Sequence, residues 1–398
     1  MTAFSIIKRN IVHLMSMKTL SILFIIGLTS FQATAQAYYF PERNAAWTEI
    51  TAKEAEIDTN GLADVIAFAK ANEYSGSRDL RIAILEGFKR EPFHEILGPT
   101  KKRGGLAGMI LKNGKVVAQW GDTKRVDMTF SVTKSFLSTM AGLAIDKNLI
   151  ANVDDPVKNY LWDGTFDGQH NSQITWRHLL QQNSAWQGIL WGGKDWADRP
   201  PREGDLDDWQ YATPKTPGTV MEYNDVRVNV LSYSLLHVWR KPLPQVLKEE
   251  VMDKIGASTT WRWHGYKEAW VEIDGIQMKS VTGGGHSGAG LFISAEDMAR
   301  FGLLFLHDGV WNNERLISSE WIQNAIEPSV ANVNYGFMWW LNKKGARHWE
   351  GVGEEVYYAA GFGGNFIIID RKHDLVVVTR WLEPNKVGEF MAKLTKAL

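Results

Sequence analysis

The sequence predicts an α+β fold in which one antiparallel sheet is built from both ends of the chain. A helical pattern and two strand patterns come first, helical patterns fill the middle, and strand patterns return before a last helix. With 398 residues, 44% of them apolar and 22% charged, the chain can bury one large core. This composition excludes a disordered protein.

A helix and a hairpin are the first elements predicted after the N-terminal segment. Apolar residues at helical spacing predict an amphipathic helix from Asp58 to Asn72. Strand patterns run from Leu106 to Asn113 and from Lys115 to Asp122, and Asn113-Gly114 between them is a hairpin turn signal. The two strands are therefore expected to pair with each other.

Helical patterns fill the middle of the chain. They cover Ser135 to Ile150, Thr175 to Gln182, Val226 to Val238 and Ala295 to His307. A stretch rich in Gly, Pro, Asp and Trp runs from Gln187 to Pro217. Such a stretch commonly forms an irregular lobe at the rim of a cleft.

The C-terminal part of the chain is strand-like. Three strand patterns and a last helical pattern lie at 334–341, 355–370, 374–381 and 387–398. The two chain ends, about 36–125 and 285–398, are expected to form a sheet lobe. The residues between them, about 126–284, are expected to form a helical lobe.

The first 35 residues are typical of a secretory signal peptide. Lys18 precedes an apolar core from Leu20 to Leu28, and small residues follow it; Met17 heads a more compact signal than the first methionine. The apolar core is too short to span a bilayer, so no integral membrane segment is expected after cleavage. We expect a signal peptide over 1–35 and a mature domain over 36–398, located in the periplasm or secreted.

Charge and cysteine content narrow the possible partners. The formal charge is −1, and it becomes −4 once the three basic residues of the signal peptide are removed. Such a mildly acidic chain is not expected to bind nucleic acid or an anionic membrane surface. Cysteine is absent, which excludes disulfides, thiolate nucleophiles and cysteine-based metal sites.

The segment FSVTKS, residues 130–135, carries the strongest catalytic signal. Ser131 and Lys134 lie three residues apart at the start of an apolar helix, so both side chains are expected on one helical face. A serine hydroxyl is a weak nucleophile until a base takes its proton, and a lysine can serve when burial or nearby positive charge favours its neutral form. The helix start also offers free N–H groups to an oxyanion. Alone, S-x-x-K is a weak signal because chance matches are common, and without further motifs a surface helix capped by serine would be the favoured interpretation.

The segment PGTVMEYND, residues 217–225, places a tyrosine after a Pro-Gly turn and just before a helix. The hydroxyl of this residue, Tyr223, could pass protons between Ser131, Lys134 and a leaving group. The alternative is an ordinary packing tyrosine that is half-buried at a helix start.

The segment YYAAGFGGNFIIID, residues 357–370, has glycines in the middle of a strand pattern. Glycine inside a strand indicates close approach by a ligand or another backbone. This edge is therefore expected to bind substrate and to present a backbone N–H to an oxyanion. A bulge in a core strand is the alternative.

In this order and at these separations, the three segments resemble the serine β-lactamase, D-alanyl-D-alanine peptidase and related esterase family. The resemblance extends from about Leu106 to about Trp381 and is closest to the branch of class C β-lactamases, carboxylesterases and 6-aminohexanoate-dimer hydrolases. ITWRHLLQQNSAW (174–186) and GAGLFISAEDMARFGLLFL (288–306) are also similar to the family. The resemblance implies a β-lactamase/transpeptidase-like fold and a serine hydrolase that forms an acyl-enzyme with an ester, amide or peptide substrate.

The same resemblance implies roles for individual residues. Ser131 would be the nucleophile, Lys134 its base and Tyr223 the second proton carrier. The oxyanion hole would consist of the backbone N–H groups of Ser131 and of Phe362, which follows Gly361.

Two departures from the family pattern bear on the substrate. The family's Tyr-x-Asn is here Tyr223-Asn224-Asp225, so a carboxylate replaces an amide that would donate to a substrate carbonyl. Amide recognition is weakened unless Asn224 or a protonated Asp225 compensates. The family's Lys-Thr-Gly or His-x-Gly is here Ala359-Ala360-Gly361, which lacks the cation and hydroxyl that bind a β-lactam carboxylate.

These departures rank the possible activities. Ester or amide hydrolysis is expected ahead of β-lactamase or D-alanyl-D-alanine peptidase activity. A catalytically silent, penicillin-binding-like sensor is the alternative from another functional class, although the intact residues Ser131, Lys134 and Tyr223 count against it.

The remaining motifs suggest few other functions. GGGHSGAG (283–290) nearly matches the α/β-hydrolase elbow, but residue 289 is alanine, and a loop near the cleft floor with His286 in the cleft is expected instead. The ten histidines show no metal-ligand spacing, so no metal and no cofactor is expected. Six tryptophans could form an aromatic wall for an apolar or sugar-like substrate. Core packing is expected for most of them, and at most two or three should touch a ligand. The six are Trp186, Trp191, Trp196, Trp209, Trp339 and Trp340.

Overall fold

The computed structural model describes residues 38–398 of the chain, and the predicted signal peptide lies outside the described residues. Within 38–398, no helix is both long enough and apolar enough to cross a membrane.

Helices and strands alternate along the described chain. The α-helices are α1 (Thr59–Ala71), α2 (Leu80–Gly87), α3 (Thr133–Asp146), α4 (Gly168–Asn171), α5 (Trp176–Leu180), α6 (Leu206–Gln210), α7 (Asp225–Trp239), α8 (Leu243–Leu247), α9 (Ala295–Leu306), α10 (Ser319–Ala325) and α11 (Val387–Ala397). The strands are β1 (Ala107–Lys112), β2 (Lys115–Trp120), β3 (Asp127–Met128), β4 (Ile189–Leu190), β5 (Gly193–Lys194), β6 (Arg262–His264), β7 (Trp270–Ile273), β8 (Ile276–Lys279), β9 (Gly290–Ile293), β10 (Val310–Trp311), β11 (Glu314–Arg315), β12 (Trp340–Leu341), β13 (Tyr357–Gly361), β14 (Asn365–Asp370) and β15 (Leu375–Arg380).

The central sheet has six antiparallel strands in the order β12-β13-β14-β15-β1-β2. Its first two strands pair around Asn113-Gly114, whose φ angles of 52° and 75° suit a two-residue hairpin turn. β1 also pairs with β15, and Ala107 lies opposite Arg380. The sheet is therefore assembled from both chain ends, which confirms the predicted α+β fold class.

The sheet is covered by helices on both faces. Met109 and Leu111 of β1 point into a core shared with α3 and α9, whereas Ile110 points into a core shared with α1 and α11. Because both faces of the sheet are covered at β15, all six residues of this strand are buried, and its first four residues form a continuous apolar run.

Several helices begin where a side chain accepts from free backbone N–H groups. The Asp58 side chain accepts from the N–H groups of Asn60 and Gly61 before α1, and the Ser294 side chain accepts from the Asp297 N–H before α9. The predicted helices over 58–72 and 295–307 are confirmed to within a few residues.

Two predictions for the C-terminal strands are wrong in detail. The segment 355–370 is two strands, β13 and β14, separated by a turn in which Gly363 and Gly364 have φ angles of 77° and 79°. The glycines are thus needed for a tight hairpin turn and not for a bulge. The segment 334–341 is extended only at Trp340–Leu341, because Tyr335 and Trp340 close a local bridge.

Four elements converge at the front of the sheet. A 3-10 turn at Phe130–Val132 leads into α3, and β13 ends beside that turn. The N-terminus of α7 and the loop 283–290 pack against the first turn of α3. Residues from all four meet at one place, which is described next.

Candidate active site

Ser131 and Lys134 lie in contact at the start of the buried helix α3. Lys134 Nζ donates a hydrogen bond of 2.9 Å to Ser131 Oγ, while Ser131 itself is only half-buried. The three-residue spacing on consecutive helical turns brings the two side chains to one face, as the sequence predicts. The serine is thus open to solvent and the lysine is buried behind it.

The backbone just before the serine is strained. Phe130 has a φ angle of 51°, in the left-handed region, which costs a residue with a side chain on the order of 1–2 kcal/mol. Its ring packs against the rings of Phe362 and Trp381, with centroid distances of 5.1 and 6.3 Å. Packing therefore fixes the turn that presents Ser131.

Asp225 forms a buried ion pair with Lys134. Lys134 Nζ lies 2.6 Å from Asp225 Oδ1, and the two side chains are only 1% and 3% exposed. The loop 283–290 forms the floor beneath them, since a Cβ added to Gly284 would overlap both Asp225 Oδ1 and Lys134 Nζ. A glycine is required there because the backbone passes directly under the ion pair.

Arg199 supplies a second cation to Asp225. Its Nη1 lies 2.7 Å from Asp225 Oδ2 and 2.6 Å from Oδ1 of the neighbouring Asp198. Burial alone would raise the pKa of Asp225, but the charges of Lys134 and Arg199 outweigh burial and hold this pKa well below its usual range. Asp225 is therefore ionised and lies between two protein cations, although its Oδ2 forms no hydrogen bond within residues 38–398.

The pKa of Asp198 is shifted in the opposite direction to that of Asp225. Burial and the nearby Asp225 carboxylate raise the pKa of Asp198. Its Oδ2 accepts hydrogen bonds from the backbone N–H groups of Asp225 and Val226, the first residues of α7. The two carboxylates thus sit side by side at the start of α7 with one arginine between them.

Tyr223 lies beside both cations. Lys134 Nζ and Arg199 Cζ lie 4.7 and 5.2 Å from the centre of its ring. The ring stacks on Trp340 with a centroid distance of 5.7 Å and an interplanar angle of 22°. The candidate proton carrier is therefore held between a tryptophan of the sheet and two positive charges.

Gly361 and Phe362 lie next to the nucleophile. A Cβ at Gly361 would collide with the Thr129 carbonyl oxygen and would lie 3.3 Å from the Ser131 nitrogen. Only glycine permits this approach of the end of β13 to the serine. The Ser131 N–H is in the first turn of its helix, where N–H groups lack an intrahelical acceptor. The two N–H groups proposed for the oxyanion hole thus come from adjoining backbones.

His286 lies beside Arg199, is 6% exposed, and lines a small pocket together with Glu91 and Asp225. Arg199 Nη2 lies 3.0 Å from His286 Nδ1, and His286 Nε2 lies 2.5 Å from Glu91 Oε2. An arginine only donates, so Nδ1 accepts and the proton is on Nε2, directed at Glu91. Burial and the Arg199 charge lower the pKa of His286 to about 4, which agrees with a neutral ring.

Asn224 caps a helix and is not directed at a substrate. Its Oδ1 accepts from the Arg227 N–H at 3.0 Å, and its Nδ2 donates to the Asp195 carbonyl at 2.7 Å. The residue is 4% exposed. Neither Asn224 nor a protonated Asp225 is therefore free to replace the amide that the family carries at position 225.

Two groups of side chains have the composition of metal ligands. Glu91, His94 and His286 form one group, and Asp198, Asp225 and His286 form the other. Both groups depend on His286, whose Nδ1 accepts from Arg199 and whose Nε2 proton faces Glu91. Binding a metal would require these hydrogen bonds to break, and the absence of a metal stays a prediction.

A wide groove extends from Tyr223 over the irregular lobe. It encloses about 1830 Å³, open solvent included, and Trp196 and Trp209 contribute to its wall. Trp186, Trp339 and Trp340 are buried in the cores, at 3%, 0% and 7% exposure. The large apolar surface of these three tryptophans is therefore used in core packing, as expected for most of the six.

Residues 91, 198 and 199 are the part of the site that sequence reasoning missed. Arg199 and Asp198 belong to the irregular lobe, and Glu91 precedes Phe93 in a loop. No spacing connects any of them to Ser131, because loops from separate parts of the chain bring them together. The only local signal is Asp198-Arg199 before two prolines, a pair of opposite charges within a turn-rich stretch.

Solved structures of several hydrolase types are similar to this chain in fold. A family VIII carboxylesterase matches with a TM-score of 0.54 and 17% identity over 75% of this chain and 93% of its own. A β-lactamase from Mycobacterium bovis matches with a TM-score of 0.52 and 20% identity over 79% and 97%. A penicillin-binding protein homologue from Caulobacter crescentus matches with a TM-score of 0.54 and 14% identity over 74% and 92%.

The sequence itself matches a family model. No curated protein sequence matches the chain. The model of the Beta-lactamase family matches residues 89–391, which include every residue of the site described above. The chain therefore belongs to the Beta-lactamase family, with the fold of β-lactamases and penicillin-binding proteins.

Proposed function

We propose that the protein is a serine hydrolase that forms an acyl-enzyme on Ser131 with an ester or amide substrate. The observation that carries the proposal is the 2.9 Å contact between Lys134 Nζ and the half-exposed Ser131 Oγ. Tyr223 beside the same ammonium and the end of β13 beside the same serine support it. A nucleophile, a proton path and an oxyanion site would then lie next to one another.

In the proposed reaction, Ser131 Oγ attacks the substrate carbonyl carbon while its proton passes to the Lys134 and Tyr223 pair. The carbonyl oxygen gains the negative charge and accepts hydrogen bonds from the N–H groups of Ser131 and Phe362. The bond to the leaving group then breaks, and the leaving group takes the proton. Water attacks the acyl-enzyme by the same steps in reverse order, which frees the acid and restores the serine.

The surroundings of the site favour esters over β-lactams. Asp225 is committed to Lys134 and Arg199, and Asn224 caps α7, so neither offers a donor to an acyl amide carbonyl. Ala359 supplies no cation for a β-lactam carboxylate. We expect nitrocefin hydrolysis to be slow in comparison with p-nitrophenyl ester hydrolysis. Efficient turnover of nitrocefin would reverse this order.

Labelling of Ser131 tests the proposal directly. The wild-type protein should react with a fluorophosphonate probe, and Ser131→Ala should not. Ser138→Ala is a matched control on the same helix, because its buried Oγ has no hydrogen-bond partner among residues 38–398. Intact-mass measurement after a p-nitrophenyl ester should show a single acyl adduct in the wild type and in Ser138→Ala.

The outcomes separate the enzyme from a silent sensor. Undiminished labelling of Ser131→Ala would refute the assignment of the nucleophile. If the wild type formed no adduct with the probe or with any ester in a panel, a ligand-binding member of the family without turnover would be favoured instead.

A further inference from the structure

We propose that Arg199 is a positioning residue of the candidate active site, and that Arg199 and Asp225 together replace one neutral side chain beside Lys134. The proposal rests on the proposed serine hydrolase function. It concerns a residue from the irregular lobe that none of the sequence motifs contains.

The argument begins with the charge of Asp225. At this position the family resemblance predicts a neutral asparagine, whereas this chain places a carboxylate 2.6 Å from Lys134 Nζ. Both side chains are almost completely buried, so water screens their interaction little. A lone carboxylate here would stabilise the charged form of Lys134. Lys134 must lose this charge before it can take a proton from the serine.

Arg199 supplies the missing positive charge. Asp225 contacts Lys134 through Oδ1 and Arg199 through Oδ2, at 2.6 and 2.7 Å. One negative and one positive charge are thus added together, and their sum equals that of a neutral amide. Arg199 also pairs with Asp198, but burial and the Asp225 charge raise the pKa of Asp198 and so favour its neutral form; His286, which faces Asp225, is held neutral by burial.

Arg199 is also held in a defined place. Its backbone has a φ angle of 50°, and Pro200 and Pro201 follow it. Its Nη2 donates to His286, which in turn donates to Glu91. A residue kept in a strained conformation by a buried hydrogen-bond chain is fixed more firmly than a mobile surface arginine.

The same guanidinium reaches the other proposed proton carrier. Arg199 Cζ lies 5.2 Å from the centre of the Tyr223 ring, and its side chain is 28% exposed. Arg199 therefore contacts both Asp225 and Tyr223, although in the described part of the chain it forms no hydrogen bond with Ser131 or Lys134. Its effect on catalysis should be exerted through these two residues.

A double-mutant cycle tests the proposal. The variants are Arg199→Met, Asp225→Asn and the double variant, each measured by urea unfolding and by the pH dependence of kcat/KM on a p-nitrophenyl ester. Each single variant should lower the unfolding midpoint and reduce kcat/KM at least 10-fold. The unfolding midpoint of the double variant should return most of the way to the wild-type value. Its kcat/KM should be at least 10-fold higher than that of the less active single variant.

The pH profiles distinguish positioning from simple structural support. Arg199→Met leaves the Asp225 charge unbalanced, so the acidic limb of the profile should move to higher pH. Asp225→Asn leaves Arg199 unbalanced, so the limb should move to lower pH, and the double variant should return it close to wild type. Arg199→Lys keeps the positive charge and should leave the acidic limb in place. This variant also keeps the prediction testable if Arg199→Met does not fold.

A matched cycle provides the control. Arg227 is a neighbouring, mostly buried arginine that pairs with Asp195 and Glu222. Arg227→Met and Asp225→Asn should be additive. If Arg199→Met and Asp225→Asn are equally additive in unfolding, the proposal is overturned whether or not the protein is an esterase. A different outcome would be a wild type that is inactive while Arg199→Met and Asp225→Asn are strongly coupled in unfolding. That outcome would overturn the proposed function and the role of Arg199 in catalysis, but it would still support the charge balance between Arg199 and Asp225.

Discussion

Lys134 Nζ lies 4.7 Å from the centre of the Tyr223 ring and faces the π-surface of the phenol. The ring therefore contributes a cation–π contact that is separate from any proton transfer by the hydroxyl. This separation allows the two roles to be tested with two substitutions at one position.

Tyr223→Phe should keep the ring and remove only the proton carrier. We expect kcat/KM on a p-nitrophenyl ester to fall about 10²–10⁴-fold, the usual contribution of general acid–base catalysis, with an unchanged melting temperature. Tyr223→Leu should also lower the melting temperature, because the stack on Trp340 is lost. Tyr39→Phe, at a half-buried tyrosine of the N-terminal segment that does not line the groove, is the control. Full activity of Tyr223→Phe would exclude the hydroxyl from catalysis.

Gly284→Ala should disrupt the candidate active site although it replaces no charged residue. The new Cβ would overlap Asp225 Oδ1 and Lys134 Nζ, so either the ion pair or the loop must shift. We expect at least a 100-fold loss of kcat and a lower melting temperature. Gly105→Ala is the control, since a Cβ there would meet nothing closer than 3.7 Å. Equal behaviour of the two variants would contradict the proposed floor.

The folded state should lose stability as the pH falls from about 6.5 to about 4. Burial and Arg199 lower the pKa of His286 to about 4, so the unfolded chain binds a proton in this range that the folded chain does not. A shift from 6.5 to about 4 corresponds to about 3 kcal/mol at full effect.

Urea unfolding at pH 4.5 and pH 7 measures this effect. The difference in unfolding free energy between the two pH values should be clearly smaller for His286→Gln than for the wild type. The same pH dependence in both proteins would show that another group is responsible.

The groove beside Tyr223 should select the substrate by size. Trp196→Ala and Trp209→Ala should raise KM about 5- to 20-fold for an ester with a large aromatic acyl group, since about 1–2 kcal/mol of apolar contact is lost. KM for p-nitrophenyl acetate should change little. Trp162→Ala, at a tryptophan that is 92% exposed, should affect neither substrate. Uniform effects on both esters would argue against substrate binding in the groove.

Export remains a prediction that the described residues do not address. We expect the mature protein recovered from a periplasmic fraction to begin close to Gln36, because small residues precede this position. N-terminal sequencing measures it directly. Recovery of the full chain from the cytoplasm, with its first residues retained, would contradict the prediction.

The elements that the sequence predicts well are those with strong local signals. The hairpin at Asn113-Gly114 and the helices α1, α7 and α9 follow from turn residues and apolar periodicity, and the structure confirms them. The turn after Gly361 is missed because glycines inside a strand pattern suit a bulge, a ligand contact or a turn equally well.

The candidate site also contains residues that local sequence signals predict and residues that they do not. The sequence predicts Ser131 and Lys134 because a spacing of three residues at a helix start brings their side chains together, and it predicts Tyr223 through the resemblance to the family pattern. Glu91 and Arg199 are not found, since they reach the site through loops whose paths depend on tertiary packing. The ion pairs of Asp225 could not be predicted from the sequence either, because they depend on which side chains surround the carboxylate in the folded protein.

The pairing of β1 with β15 affects how this protein must be made. Ala107 and Arg380 are neighbours in the sheet but are 273 residues apart in the sequence, so the central strands cannot assemble until β15 has been synthesised. A nascent polypeptide stopped before β15 would expose the apolar faces of β1 and β14 together. Maturation should therefore be all-or-none, and truncation near the C-terminus should yield aggregation and not a weakened catalyst.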